Sequence, residues 1–249
     1  MPPNSGDKDK ESSYVAVRLL GGLKEVYTFK ELEGLLDVPA QVLWRYTSHV
    51  QFPERGTAKK LLDAIESKHL LERAIRELVV KPQGIAEEWR LFFNPRFLNL
   101  VGYIAWKAFG QDNVDLVLAT NERDSALAAI VADWLSADAC VATERAWASW
   151  GKLYTASYRS SERGETVYLH IPREALEKGA KVLVVKGVTR NFESLQAVSS
   201  ILEQAKCELL GTLIVASISV DLAENLVKYG VRKVKIIVRK TPSGFELNL

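Results

Sequence analysis

Residues 182–195 constrain the fold more than any other stretch of this chain. Val182, Leu183, Val184 and Val185 form an unbroken, mostly β-branched apolar run, the pattern of a strand buried on both faces of a parallel sheet. Polar residues 186–191 read as a turn, and 192–205 as a helix. Strand, polar loop and helix start bring free backbone N–H groups and the positive end of a helix dipole together, a geometry suited to holding phosphate. The alternation recurs around this unit. Strands are expected at 114–119, 139–143, 166–171, 209–218 and 231–239, and helices at 95–109, 125–135 and 221–229. Strands alternating with helices of this length predict right-handed βαβ units in a parallel sheet.

The first third has a different period. Phe29, Leu32, Leu35 and Leu36 share one helical face. Thr28 is placed as the N-cap, and Glu31 three residues later completes a capping box. Asp37, Val38 and Pro39 make a tight turn into a second helix, 40–48, with Val42, Leu43 and Tyr46 inward. Helices over 57–67 and 70–79 follow, and residues 81–84, Lys-Pro-Gln-Gly, read as a linker or hinge. The expected organisation is a tail at 1–13 that is polar enough to be disordered, an all-α bundle at 14–80 and an α/β domain at 85–249.

A net charge of +2 does not announce nucleic-acid binding, so any such activity must come from local clustering. No apolar run is long enough to span a membrane, and residues 1–13 hold no apolar segment of the kind a signal peptide needs, so none is expected. The expected location is cytoplasmic. Cys140 and Cys207 read as buried free thiols rather than a disulfide. Three scattered histidines offer no ligand spacing, so neither metal nor cofactor is expected.

Residues 32–53 resemble the repressor-type helix-turn-helix family. The likeness rests on the apolar pattern of the first helix, Asp37-Val38 in the turn, Leu43 and Tyr46 on the second helix, and Pro53. It implies that the second helix enters the major groove of double-stranded DNA. Gln41, Trp44, Arg45, Thr47 and Ser48 then face the groove, with Gln41 suited to adenine and Arg45 to guanine. Arg55, Lys59 and Lys60 are placed to touch phosphates. Trp44 fits this face least comfortably.

Residues 85–240 resemble the type I phosphoribosyltransferases. The 182–195 unit matches their ribose-phosphate motif of four apolar residues, two acids, an apolar residue, a loop and a helix. Asp115 to Ala128 match the strand, loop and helix that cradle pyrophosphate, 154–171 match the mobile hairpin over the substrate, and 175–184 match the approach to the ribose-phosphate strand. The resemblance implies an α/β fold with a parallel sheet behind an N-terminal all-α helix-turn-helix bundle. That combination looks like the purine-operon repressors of bacteria and their archaeal relatives, in which the old substrate site senses a phosphoribosyl or purine-related ligand.

This chain departs from the enzyme pattern at three places. Lys186 and Gly187 stand where the family has acids that hold the ribose hydroxyls, directly or through Mg²⁺, and neither offers a ligand to a hard cation. The loop Thr189, Arg190, Asn191, Phe192 lacks small residues, and Glu193 sets a negative charge at the helix start. The loop 121–124 lacks glycine. A catalytically inactive site is therefore expected. Two readings of the loops stay open. Arg123, Lys186, Gly187, Thr189, Arg190, Asn191 and Ser194 bind a nucleotide or phosphoribosyl ligand without metal, or the site is dead and the domain supplies dimerisation. The expectation is a homodimeric, nucleoid-associated transcriptional regulator. An architectural, chromosome-organising protein is the first alternative, and an active phosphoribosyltransferase the second.

Overall fold

The computed structural model describes residues 5–222, 226 and 231–249, and the chain divides into two compact units, one up to Tyr103 and one from Ile104 to Leu249. The helix expected over 221–229 lies largely outside the described residues.

The first unit is helical. Helices α1 (Ser5–Leu23), α2 (Phe29–Leu36), α3 (Ala40–Thr47), α4 (Arg55–Ser67) and α5 (Leu70–Val79) lead to a minimal hairpin, β1 (Val80–Lys81) and β2 (Gly84–Ile85). Helix α6 (Glu88–Phe92) and then α7 (Pro95–Phe109) follow, and the division between the two units falls within α7. Helix α1 packs against α3, α4 and α5, burying Leu19, Leu20, Leu23, Leu43, Leu61, Ile65 and Ile75. It also takes in residues 5–13, which composition alone leaves as a disordered tail. Its Gly21-Gly22 pair lowers helix propensity. The structure gives the second glycine a reason: a Cβ on Gly22 would lie 2.6 Å from Leu100 Cδ2 and 3.0 Å from the Arg96 carbonyl oxygen.

Local signals at α2 are realised in full. The Thr28 hydroxyl accepts from Glu31 N–H at 3.2 Å, and the Glu31 carboxylate accepts from Thr28 N–H at 2.7 Å. The Thr28 N–H and the Thr28 hydroxyl, each donating to that carboxylate at 2.7 Å, hold the Glu31 carboxyl below its usual range. Asp37 ends the helix in the left-handed region at φ 54°, where Asp is tolerated more readily than most residues. Residues 81–84 are not a hinge. Val80 pairs with Ile85 and Lys81 with Gly84, so Pro82 and Gln83 form the tip of a tight hairpin, and Gly84 takes φ 131°.

The second unit is built on a six-stranded sheet. Its strands are β3 (Leu116–Ala119), β4 (Asp138–Val141), β7 (Lys181–Thr189), β8 (Glu208–Ser217), β9 (Val234–Thr241) and β10 (Gly244–Leu247), in spatial order β10-β9-β8-β7-β3-β4. All neighbours are parallel except the β9–β10 hairpin. Helix α8 (Ser125–Leu135) joins β3 to β4, and α9 (Glu193–Ala205) joins β7 to β8. A separate antiparallel hairpin, β5 (Leu153–Arg159) and β6 (Thr166–Pro172), covers the 154–171 segment as expected. Gly211 allows close packing of β8 on β9, since a Cβ there would lie 2.6 Å from the Lys233 carbonyl oxygen.

One boundary differs in a way that matters for function. Strand β7 does not stop at Val185 but runs to Thr189. Lys186 and Gly187, expected in a solvated turn, are strand residues and are buried. Neighbouring β8 keeps pairing through Thr189↔Ser217 and carries β7 onward despite its polar sequence. Among the described residues no helix is long and apolar enough to cross a membrane.

Candidate functional site

The sheet order places a site at one point. Adjacent strands β3 and β7 are parallel, in register from Leu116↔Val182 to Ala119↔Val185. Beyond them the chain leaves in opposite directions, through α8 to β4 and through α9 to β8. Such a switch point opens a crevice at the carboxyl ends of the strands, where open α/β sheets bind ligands. The residues that follow the Ala119↔Val185 pair are Thr120 and Lys186.

The Lys186 side chain fills this point. Its Nζ donates to Ser194 Oγ at 2.5 Å and to Thr120 Oγ1 at 3.4 Å, and Ser194 Oγ lies 3.5 Å from Thr120 Oγ1. Lys186 is only 9% exposed, and Thr120 and Ser194 are buried. A buried ammonium is costly unless its donors are met. Here two hydroxyls, one from the end of β3 and one from the first turn of α9, meet it.

Asp124 completes the cluster. It is buried and accepts from the Gly187 backbone N–H and from Asn121 Nδ2, the latter at 2.8 Å. Burial pushes its carboxyl upward, while the Gly187 N–H, the Lys186 charge, the Asn121 bond and the Arg123 charge pull the other way. Asn121 also accepts from Asp124 N–H at 3.2 Å, capping the 3₁₀ turn Glu122–Asp124.

A second layer lies over the first turn of α9. Ser161, in the tip of the β5–β6 hairpin, donates its N–H to both carboxylate oxygens of Glu193, at 3.1 and 3.3 Å. Asn191 Nδ2 donates to Ser161 Oγ at 3.5 Å. The tip is closed by Ser160 N–H to Glu165 O and Gly164 N–H to Ser160 O, each 2.8 Å, with Gly164 at φ 70°. Arg163 forks onto Glu144 at 2.6 and 2.8 Å, and this bond holds the Glu144 carboxyl below its usual range. The helix start that would suit a phosphate instead carries the Glu193 carboxylate, where the dipole favours an anion.

Of the expected ligand residues, Lys186, Gly187 and Ser194 converge on the cluster. Thr189 turns inward, donating to the Asn191 carbonyl at 2.7 Å. Arg123 and Arg190 are exposed at the ends of the loops that follow β3 and β7. Thr120, Asn121 and Asp124 were not among the expected residues. The signal available for them was a polar Thr closing a fully apolar strand. The donor set does not suit a hard divalent cation. Asp124 is already engaged, Lys186 is cationic, and among the described residues no group of three His, Cys, Asp or Glu side chains gathers anywhere.

On the helical unit, Gln41, Trp44, Arg45 and Ser48 are exposed along α3, with Trp44 51% exposed. Leu43 and Tyr46 point inward. Val42, expected inward, is half-buried. Arg55, Lys59 and Lys60 are exposed on α4. Thr47 differs: it is half-buried, and its hydroxyl donates to the Leu43 and Trp44 carbonyls, each at 3.2 Å, so it is spent on its own helix.

Two expectations follow from this geometry. Lys186→Ala removes a buried charged donor and leaves Asp124 without its nearby cation, and should lower unfolding stability by about 2–3 kcal/mol; denaturant unfolding checks this. The Glu144 carboxyl is depressed in the fold, so its contribution exists above the unfolded pKa and is lost as pH falls through the folded one. The protection of amides 160–165 against exchange, relative to the free-peptide rate at the same pH, should therefore fall as the pH drops below the ordinary Glu range, and Arg163→Ala should produce the same loss of protection at neutral pH.

The sequence matches no family model and no curated protein. The structure does have counterparts among solved proteins. The adenine phosphoribosyltransferase of Rhodothermus marinus aligns with a TM-score of 0.54 at 17% identity, over 68% of this chain and 97% of that one. The Leishmania donovani adenine phosphoribosyltransferase gives 0.54 at 14% identity, over 68% and 78%. The Giardia lamblia protein, solved with 9-deazaadenine, gives 0.52 at 15% identity, over 61% and 83%. At these identities the likeness is one of fold: the chain carries a type I phosphoribosyltransferase-like α/β fold.

Proposed function

We propose that this chain is a DNA-binding transcriptional regulator whose phosphoribosyltransferase-like domain is not a catalyst. The observation that carries the reading is the face of α3. Gln41, Trp44, Arg45 and Ser48 are turned to solvent, while Leu43 and Tyr46 anchor the helix from behind. The three-residue turn through Asp37 joins it to α2, and Arg55, Lys59 and Lys60 add cationic side chains on α4. This is the residue chemistry of a recognition helix flanked by phosphate contacts. One such module covers a half-site, so the reading calls for a homodimer, with the α/β domain as the dimerising part. A DNA-bound role places the protein on the nucleoid.

The non-catalytic part of the proposal is supported by Lys186. The type I enzymes need acids at this place for ribose hydroxyls or Mg²⁺, and this chain has an ammonium already committed to Ser194 and Thr120. The same observation favours an architectural role as the second reading, since a switch point occupied by the protein's own side chain leaves little for an effector to bind. Ligand sensing would instead rest on Arg123 and Arg190, exposed on the loops beside it.

Fluorescence anisotropy with labelled duplexes tests DNA binding. Affinity should fall with added salt, and Arg45→Ala should weaken it by about tenfold, within the range for losing a base contact. Lys59→Ala should flatten the salt dependence without changing sequence preference. Failure of the wild-type chain to bind any duplex at low salt would refute the reading.

A further inference from the structure

The loop that leaves α3 exposes two large apolar side chains, Val50 at 68% and Phe52 at 47%. Trp44 belongs to the face of α3 turned to solvent, whereas Val50 and Phe52 have no part in that face. The loop is nevertheless fixed. Ser48 N–H donates to the Trp44 carbonyl at 2.9 Å, and the Val50 and Gln51 N–H groups both donate to the Arg45 carbonyl, at 3.0 and 3.3 Å. His49 reverses the chain at φ 57°, and its ring meets Phe52 edge-on with centroids 6.1 Å apart. Beyond Phe52 the chain turns inward again: Pro53 is buried, and its carbonyl accepts from Ser13 Oγ at 2.7 Å. Bonds on both sides thus hold two apolar side chains in water, against the tendency of such groups to be buried.

The charge around the loop favours one partner. Residues 40–60 carry Arg45, Arg55, Lys59 and Lys60 against Glu54 alone, a net +3 in a chain whose whole net charge is +2, and all four cations are exposed. Phosphates complement such a patch. Proteins that bind duplex DNA through cations also insert apolar side chains between base pairs, partly unstacking a step and kinking the duplex. Resting on the DNA-binding reading, we propose that Val50 and Phe52 form a wedge that enters the base stack of bound duplex DNA beside the bases read by α3, opens one base step and bends the DNA.

The probes are a duplex of about 30 base pairs with a fluorophore at each end, the same duplex with one central mismatch, and its single strand, each titrated with the full chain. Saturating wild-type chain should raise energy transfer between the ends of the matched duplex. The mismatched duplex, whose central step is already loosened, should bind about tenfold more tightly than the matched one, and the single strand more weakly than either. The double variant Val50→Ser, Phe52→Ser should still bind the matched duplex, but leave transfer at the value of free DNA and erase the preference for the mismatch. Both positions are exposed, so this variant should keep the wild-type helix content by circular dichroism. Phe52→Leu, still apolar, should keep the bend. Wild-type binding with no change in transfer and no preference for the mismatch would overturn the wedge and leave DNA binding standing. A bend kept by the double variant, or tighter binding of the single strand than of the duplex, would overturn it as well. Absence of binding to every probe would remove the DNA-binding reading and the wedge together.

Discussion

The Lys186 ammonium organises the carboxyl end of the sheet. It sits where β3 and β7 part, and its bonds to Thr120 and Ser194 tie the end of one strand to the first turn of the helix after the other. Asp124 answers the charge and takes the Gly187 amide proton. A buried charge of this kind is stable only as a complete network, because losing one partner strands the others. Loop 120–124, strand β7 and the start of α9 therefore hold their positions together.

The consequence is a crevice floor filled by the protein's own side chains. The sheet and its crossovers align with adenine phosphoribosyltransferases at 14–17% identity, yet function resides in sites rather than folds. Anion-binding geometry at the start of α9 is met from within, by the Glu193 carboxylate held to the hairpin tip through Ser161. The crevice floor is met from within by Lys186. On the proposed reading, the helical unit then carries the specific recognition, and the α/β unit holds two copies at the spacing a duplex requires.

Much of this was legible in the sequence where the cause is local. The Thr28–Glu31 capping box needs only four consecutive residues, and the exposed face of α3 follows from helical period. The parallel sheet was readable because β-branched runs alternate with helices. What was not legible depends on distant partners. Lys186-Gly187 reads as a turn until β8 is seen continuing alongside it. Helix α1 is obscured by its two glycines, of which Gly22 is explained by the approach of Leu100 and Arg96. Residues 81–84 look like a linker because Pro and Gly mark hinges and hairpin tips alike, and only the Val80↔Ile85 pairing decides between them. Asp124 looks like one more loop acid until the Gly187 amide is brought to it by the pairing of β3 with β7.

The central claim is that the protein's own lysine takes the place of the ribose-phosphate chemistry at the switch point. Calorimetric titration of the full chain with phosphoribosyl pyrophosphate and Mg²⁺, followed by a pyrophosphate-release assay with adenine, tests it most directly. The account predicts no Mg²⁺-dependent binding and no pyrophosphate release. Saturable Mg²⁺-dependent binding with pyrophosphate released on adding adenine would contradict it.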